Sequence, residues 1–294
     1  MEGSIAPLLE TTEPLAVLAG GGVLPGIVAS AAIRAGRPVK VIGIRGEADL
    51  RISTFIHDWV DWGEIGQLLR ALRAHRATEL VLVGRIKTRP DYRSLPLDRA
   101  GALAQDSIVR IFGGGDNAVL AGAVRLFESR GFRILGAHQV ARELVAPIGS
   151  LSRGADTPRD RMDIDLAMKA AKSIGTLDIG QAAVSVAGRV VALEGAEGTD
   201  GMLERVAQLK DVGRIPSNER VGVLGKCAKP HQDLRIDMPT IGPDTVAAAV
   251  AAGLAGIAVE AGSVMIAERE ETIRSANANG LFLVGAGQEH GTNV

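Results

Sequence analysis

The stretch from Lys226 to Pro239, KCAKPHQDLRIDMP, is the densest in chemistry-bearing side chains. Lys229, Gln232, Asp233, Arg235 and Asp237 stand together there, directly after an apolar run that reads as a strand. A charged loop that pairs its own ions would account for this composition. Pro230 and Pro239 frame the segment, however, which implies one rigid path rather than a mobile loop. Lys229 and Arg235 suit phosphate oxygens, and a guanidinium can grip one through two parallel hydrogen bonds. Fully extended, the chain would hold Asp233 and Asp237 roughly 13 Å apart, at about 3.3 Å per residue. The two could not then share one cation, so either the segment turns or one of them, Asp233 for preference, is the ligand. His231 reads as a surface histidine or a general base, and Cys227 as a core residue at a strand end.

A second polar group lies in ALEGAEGTDGMLER from Ala192, where Glu194, Glu197 and Asp200 alternate with Gly195, Gly198 and Gly201. Asp200 could simply serve a helix start, since acids in a first turn complement the helix dipole. That leaves Glu197, between two glycines, unexplained. Open backbone and clustered carboxylates at a helix start suit a hard cation such as Mg²⁺ and the phosphate it carries.

Two glycine loops complete the inventory. Gly20 and Gly22 fit the first two positions of a dinucleotide fingerprint, but Pro25 occupies the third. After the next strand, where an acid would hold a ribose, stand Arg45 and, farther on, Glu47. The loop is thus a structural turn or a backbone cradle for a phosphate or sugar, rather than a nicotinamide site. Gly113, Gly114 and Gly115 precede Asp116 and Asn117, either of which would cap a helix.

These residues need elements to hold them. Apolar runs at Leu15–Ala19, Val39–Ile44, Leu80–Val83 and Phe132–Leu135 alternate with helical spacing at Leu24–Ala31, Gly63–Arg76 and Asp116–Arg130. That alternation predicts βαβ units and a parallel sheet, a Rossmann-like domain over 14–147. The stretch 148–161, rich in Pro, Gly, Ser and Arg, reads as a linker. A second α/β domain spans 162–285, with a helix from Met162 to Ile174 and a hairpin joining Ala182–Val186 to Val190–Leu193. It continues with a helix from Gly201 to Leu209, a strand from Val221 to Cys227 and a final strand–helix alternation.

Composition sets the outer limits. The 294 residues include 37 Gly and one Cys, with five Phe, two Trp and one Tyr. The core must therefore be aliphatic, and neither a disulfide framework nor a cysteine zinc cluster is possible within the chain. A net charge of −1 and few aromatics argue against nucleic acid as a partner. No apolar run is long enough for a transmembrane helix, and the opening 14 residues lack a secretory pattern. A cytoplasmic enzyme or binding protein is expected.

Five segments together resemble one family, the metal-dependent UDP-2,3-diacylglucosamine pyrophosphatases of lipid A biosynthesis that are unrelated to calcineurin-like phosphoesterases. They are AGGGVLPG (Ala19 to Gly26), GRIKTRPDYRSL (Gly84 to Leu95), LDIGQAAVS (Leu177 to Ser185), EGTD (Glu197 to Asp200) and KPHQDLRIDMPTIGPDT (Lys229 to Thr245). The chain departs at Asn117, where an Asp would be expected.

The resemblance implies hydrolysis of UDP-2,3-diacylglucosamine to UMP and 2,3-diacylglucosamine 1-phosphate (lipid X), with water attacking the β-phosphorus. It makes Asp233 the leading catalytic carboxylate and places Lys229 and Arg235 on the phosphates. Glu197, Asp200, Asp233 and Asp237 would hold Mg²⁺ or Mn²⁺. Gly20, Gly21, Gly22, Leu24, Pro25, Gln181, Thr199 and Gln232 would contact substrate in a cleft between the two domains. Acyl chains would lie in an aliphatic tunnel opened by a hinge at the linker. A homodimer and peripheral contact with the inner membrane are further expectations. The rival classes are a non-catalytic sugar-nucleotide or lipid-binding protein and a nicotinamide-dependent oxidoreductase.

Overall fold

The computed structural model describes residues 12–88, 96–103, 116–154, 157–216, 219–230 and 232–287, with backbone alone at 116–118. Arg89 to Leu95, Gly113 to Gly115, the side chains of Asp116 and Asn117, and His231 lie outside the described residues. The chain divides into two compact units between Ala141 and Arg142.

In the first unit, β1 (Leu15–Ala19), α1 (Leu24–Arg34), β2 (Val39–Ile44) and β3 (His57–Val60) are followed by α2 (Ile65–Ala74) and β4 (Glu79–Val83). Next come α3 (Arg99–Leu103), α4 (Asp116–Glu128), β5 (Arg133–Leu135) and α5 (Ala137–Val140). The five strands form one sheet in the order β3-β2-β1-β4-β5, parallel throughout. LAVLA and VKVIGI are nearly continuous apolar runs because such a sheet is covered on both faces. β3, HDWV, escapes periodicity because only Val60 of its four residues is buried.

Chain order reverses between β1 and β4, the switch point at which α/β sheets commonly open a crevice. Here the loops after those strands close on each other. Gly21 N–H donates to Arg85 O at 2.7 Å, and Arg85 N–H returns to Gly21 O at 2.9 Å. A Cβ on Gly20 would stand 2.7 Å from Arg85 O, and one on Gly21 2.9 Å from Glu47 O. Glycine at 20 and 21 is thus required by a neighbouring chain segment.

The second unit runs β6 (Gly149–Ser150), α6 (Pro158–Thr176), β7 (Ala182–Val186), β8 (Arg189–Leu193), α7 (Gly198–Asp211) and β9 (Val223–Lys226). It ends with β10 (Thr240–Ile241), α8 (Pro243–Ala251), β11 (Gly256–Glu260), β12 (Met265–Ile266), α9 (Arg269–Ala278) and β13 (Phe282–Ala286). The six-stranded sheet has the order β6-β13-β11-β9-β7-β8, while β10 and β12 pair separately. β9, β11 and β13 are parallel to one another, and β6, β7 and β8 each run antiparallel to a neighbour. The stretch 148–161 is thus more than a connection, since it supplies an edge strand and the start of α6.

Alternation along the strands sorts the core into two layers. Val223, Ala183 and Ala258 pack with Ile164, Met168 and Ala171 of α6. Leu224, Val184 and Ile257 pack with Met202, Leu203 and Val206 of α7 and Val246 of α8. Gly225 lets α6 approach closely, because a Cβ there would lie 2.7 Å from the Ala167 carbonyl carbon.

Candidate functional site

The carboxyl ends of β8, β9 and β11 and the amino end of β7 meet at one edge of the second sheet, since Ala182 pairs with Lys226, Lys226 with Val259 and Ala183 with Leu193. Ligands of open α/β sheets bind at such strand ends. Three charged residues are buried along this edge: Glu194, Lys226 and Glu260, each 6% exposed. Glu194 Oε2 accepts the Gln181 N–H at 2.8 Å, and its Oε1 accepts the Thr199 hydroxyl at 2.7 Å. Lys226 Nζ donates to the same Thr199 oxygen at 2.8 Å. On the other side of β9, Glu260 Oε2 accepts the Ala228 N–H at 3.1 Å and Oε1 lies 3.3 Å from Lys172 Nζ.

The polar segment leaves the sheet directly after β9. Its path is a turn rather than an extended run: Ile236 and Asp237 both donate their N–H to Asp233 O at 3.1 Å. Asp233 and Asp237 therefore lie at the two ends of one turn. The Asp233 carboxylate receives the Arg235 guanidinium at 2.7 Å and the Arg235 N–H at 3.1 Å. Gln232 Nε2 donates to Asp237 Oδ2 at 2.5 Å, while Gln232 Oε1 accepts the Lys229 N–H at 2.9 Å. Lys229 Nζ reaches Asp178 at 2.8 Å, across from the segment after α6. The structure thus brings Lys229, Gln232, Asp233, Arg235 and Asp237 into one half-buried loop at the strand ends.

The acidic group before α7 behaves differently. Glu197 is exposed, and its carboxylate bonds the Arg205 guanidinium on the same helix. Its own backbone N–H and the Arg205 guanidinium hold that carboxyl below the usual range. Asp200 is exposed in the first turn of α7, where the helix dipole alone rewards an acid. Among the described residues, no three His, Cys, Asp or Glu side chains gather closely enough to hold a metal ion. The expected set of Glu197, Asp200, Asp233 and Asp237 is therefore not assembled as one protein cage. Mg²⁺ rarely needs one, because it takes one or two carboxylates and completes its shell with water and substrate phosphates. The hard oxygens of Asp233 and Asp237, at opposite ends of one turn, fit that mode.

Gln181 and Thr199 have structural duties: Gln181 gives its N–H to Glu194 and its C=O to Cys227 N–H, and Thr199 bridges Glu194 and Lys226. The Gln181 side-chain oxygen is buried with no partner among the described residues. In the first unit, Gly22 is exposed with φ +89°, Leu24 is half-buried and Pro25 is buried in the first turn of α1. Burial of Lys226 and Glu260 was not read from the sequence. The signal was present: each is a charged residue closing an apolar strand, LGK and GIAVE.

Two comparisons bear on this arrangement. Residues 14–144 match the family model of the LpxI N-terminal domain, and residues 147–284 match that of the LpxI C-terminal domain. The chain is also 41% identical over 271 residues to the UDP-2,3-diacylglucosamine pyrophosphatase LpxI of Caulobacter vibrioides, covering 92% of this chain and 96% of that one. Both domain models fall in order on the two α/β units, and the similarity runs nearly end to end, so the chain belongs to the LpxI family.

Proposed function

We propose that the protein hydrolyses the pyrophosphate of UDP-2,3-diacylglucosamine to UMP and 2,3-diacylglucosamine 1-phosphate. The observation that carries this reading is the 41% identity to a named UDP-2,3-diacylglucosamine pyrophosphatase across 92% of the chain. The strand-end loop supplies chemistry suited to it. Lys229 and Arg235 are cations for the phosphate oxygens, and Asp233 takes a proton from the attacking water. Arg235 is held by Asp233 at 2.7 Å. An entering pyrophosphate competes for that guanidinium and leaves the Asp233 carboxylate for the water.

Asp233 and Asp237 would hold a divalent cation, Mg²⁺ or Mn²⁺, which would supply charge neutralisation that side chains alone give less fully. Gln181 Oε1, buried with no partner among the described residues, and Gln232 offer further contacts to substrate. Among the described residues no helix is long and apolar enough to cross a membrane. A cytoplasmic homodimer that touches the membrane peripherally is the assembly we favour.

The test is metal-dependent release of UMP. Wild-type protein with Mg²⁺ should release UMP, and chelation should stop it. Asp233→Ala should lower kcat by about a thousandfold or more, the scale of losing a general base together with a cation ligand, with an unchanged thermal midpoint. Near-normal turnover would remove Asp233 from the mechanism. In ¹⁸O-water the label should appear in the sugar 1-phosphate, and label in UMP alone would overturn attack at the β-phosphorus.

A further inference from the structure

Glu260 lies outside the loop that carries the proposed chemistry, yet it is one of the buried charges beside that loop's first residue. Three successive backbone N–H groups mark the place where the chain leaves the sheet. Cys227 N–H still donates to the neighbouring strand's entry, at Gln181 O, 3.0 Å away. Lys229 N–H donates within the loop, to Gln232 Oε1 at 2.9 Å. Between them Ala228 N–H has neither a sheet partner nor a loop partner among the described residues, and it donates to Glu260 Oε2 at 3.1 Å. An amide at such a junction needs an acceptor, because leaving it buried and unpaired is costly. β11 supplies one at a fixed height, since Glu260 ends the strand paired with β9. The carboxylate's other oxygen faces Lys172 of α6, a side chain still 44% exposed.

We infer that Glu260 is a positioning residue: its carboxylate fixes Ala228 N–H and so sets the direction in which Lys229 and Asp233 leave the sheet. This rests on the reading of that loop as the catalytic segment. The role depends on an acceptor oxygen at the right reach, not on charge. Glu260→Gln keeps an oxygen at the same distance from the backbone and leaves Lys172 to be hydrated by solvent. Glu260→Asp keeps the charge but withdraws the oxygen by one methylene.

The test compares the two variants in UMP release and in amide hydrogen exchange of the full-length protein. Glu260→Gln should keep kcat within about threefold of wild type. Glu260→Asp should lower kcat roughly 10- to 100-fold with KM nearly constant, the scale for misplacing a catalytic group through its support. Exchange at the Ala228 and Lys229 amides should quicken in Glu260→Asp alone. The opposite ranking, an active Asp variant and a slow Gln variant, would overturn the inference, as would two variants that both match wild type. If the wild-type protein releases no UMP, the pyrophosphatase reading fails. The exchange comparison still decides whether Glu260 holds the loop.

Discussion

Cys227 has none of its surface in water, at the point where β9 gives way to the polar loop. Burial pushes its thiol up to about 12, and the Glu260 carboxylate nearby adds to the shift. At pH 8 the thiolate fraction is then about one in ten thousand, against about a tenth for an ordinary cysteine, and only the thiolate is a strong nucleophile. A disulfide-exchange reagent should therefore leave the native protein unlabelled at pH 8 over an hour, and label one thiol per chain promptly in denaturant. Stoichiometric labelling of the native protein within minutes would show that the end of β9 opens readily. The sequence reading of Cys227 as a core residue rested on its place at the end of an apolar run. Glu197 shows the opposite outcome at this scale. Its position between two glycines marks it as special in the sequence, but spacing does not reveal that Arg205, two turns on, takes its carboxylate.

Elements were legible where periodicity was long and hidden where side-chain contacts replace it. α1 was readable from its apolar spacing, and Gly36 follows the helix with φ +79°, a conformation that glycine takes without strain. The hairpin between β7 and β8 was readable too, because Gly188 stands between two apolar runs, although Ala187 beside it also takes a left-handed φ that its residue type does not announce. β6, β10 and β12 have two residues each, too short for any period. The start of α2 was legible to within two residues, but its cap was hidden for another reason. Its N-cap residue, Glu64, gives its first turn no side-chain bond, and the cap comes from Asp98, more than thirty residues away. Asp98 Oδ2 accepts Gly66 N–H at 2.7 Å and Gln67 N–H at 3.2 Å, and Oδ1 accepts Gly101 N–H at 2.8 Å. Burial pushes that carboxyl up, but the three N–H bonds outweigh it and hold it below the ordinary value of 3.8. A carboxylate with a depressed folded pKa stabilises above its unfolded value and loses that contribution as pH falls through the folded one. Wild type should therefore exceed Asp98→Asn in stability at pH 6, and the gap should narrow as pH drops below 3.8. Denaturant titrations at pH 6 and pH 3 would measure it, and a gap that widens in acid would refute the cap.

At the scale of the whole chain, the expectation of two α/β units carried over because each has its own strand–helix alternation. The stretch 148–161, rich in Pro, Gly, Ser and Arg, also contains the edge strand β6 and the first turn of α6. Each unit having its own sheet and core leads to a prediction about unfolding. Both tryptophans, Trp59 and Trp62, lie in the first unit, so tryptophan fluorescence follows that unit alone. Asp163 lies in the second, 1% exposed on α6, where it accepts the Ser185 hydroxyl at 2.6 Å and the N–H groups of Ala187 and Gly188 at 2.9 and 2.8 Å. Asp163→Ala strands three donors at the β7–β8 turn, which costs about 3 kcal/mol or more at 1–3 kcal/mol each. For a unit of this size that corresponds to a fall of roughly 6–12 °C in thermal midpoint. The fall should appear in far-ultraviolet circular dichroism as an early transition, while the fluorescence midpoint stays within a degree or two of wild type. A fluorescence midpoint that falls equally would mean that the two cores unfold as one, and that stability in this chain is a property of the whole rather than of each unit.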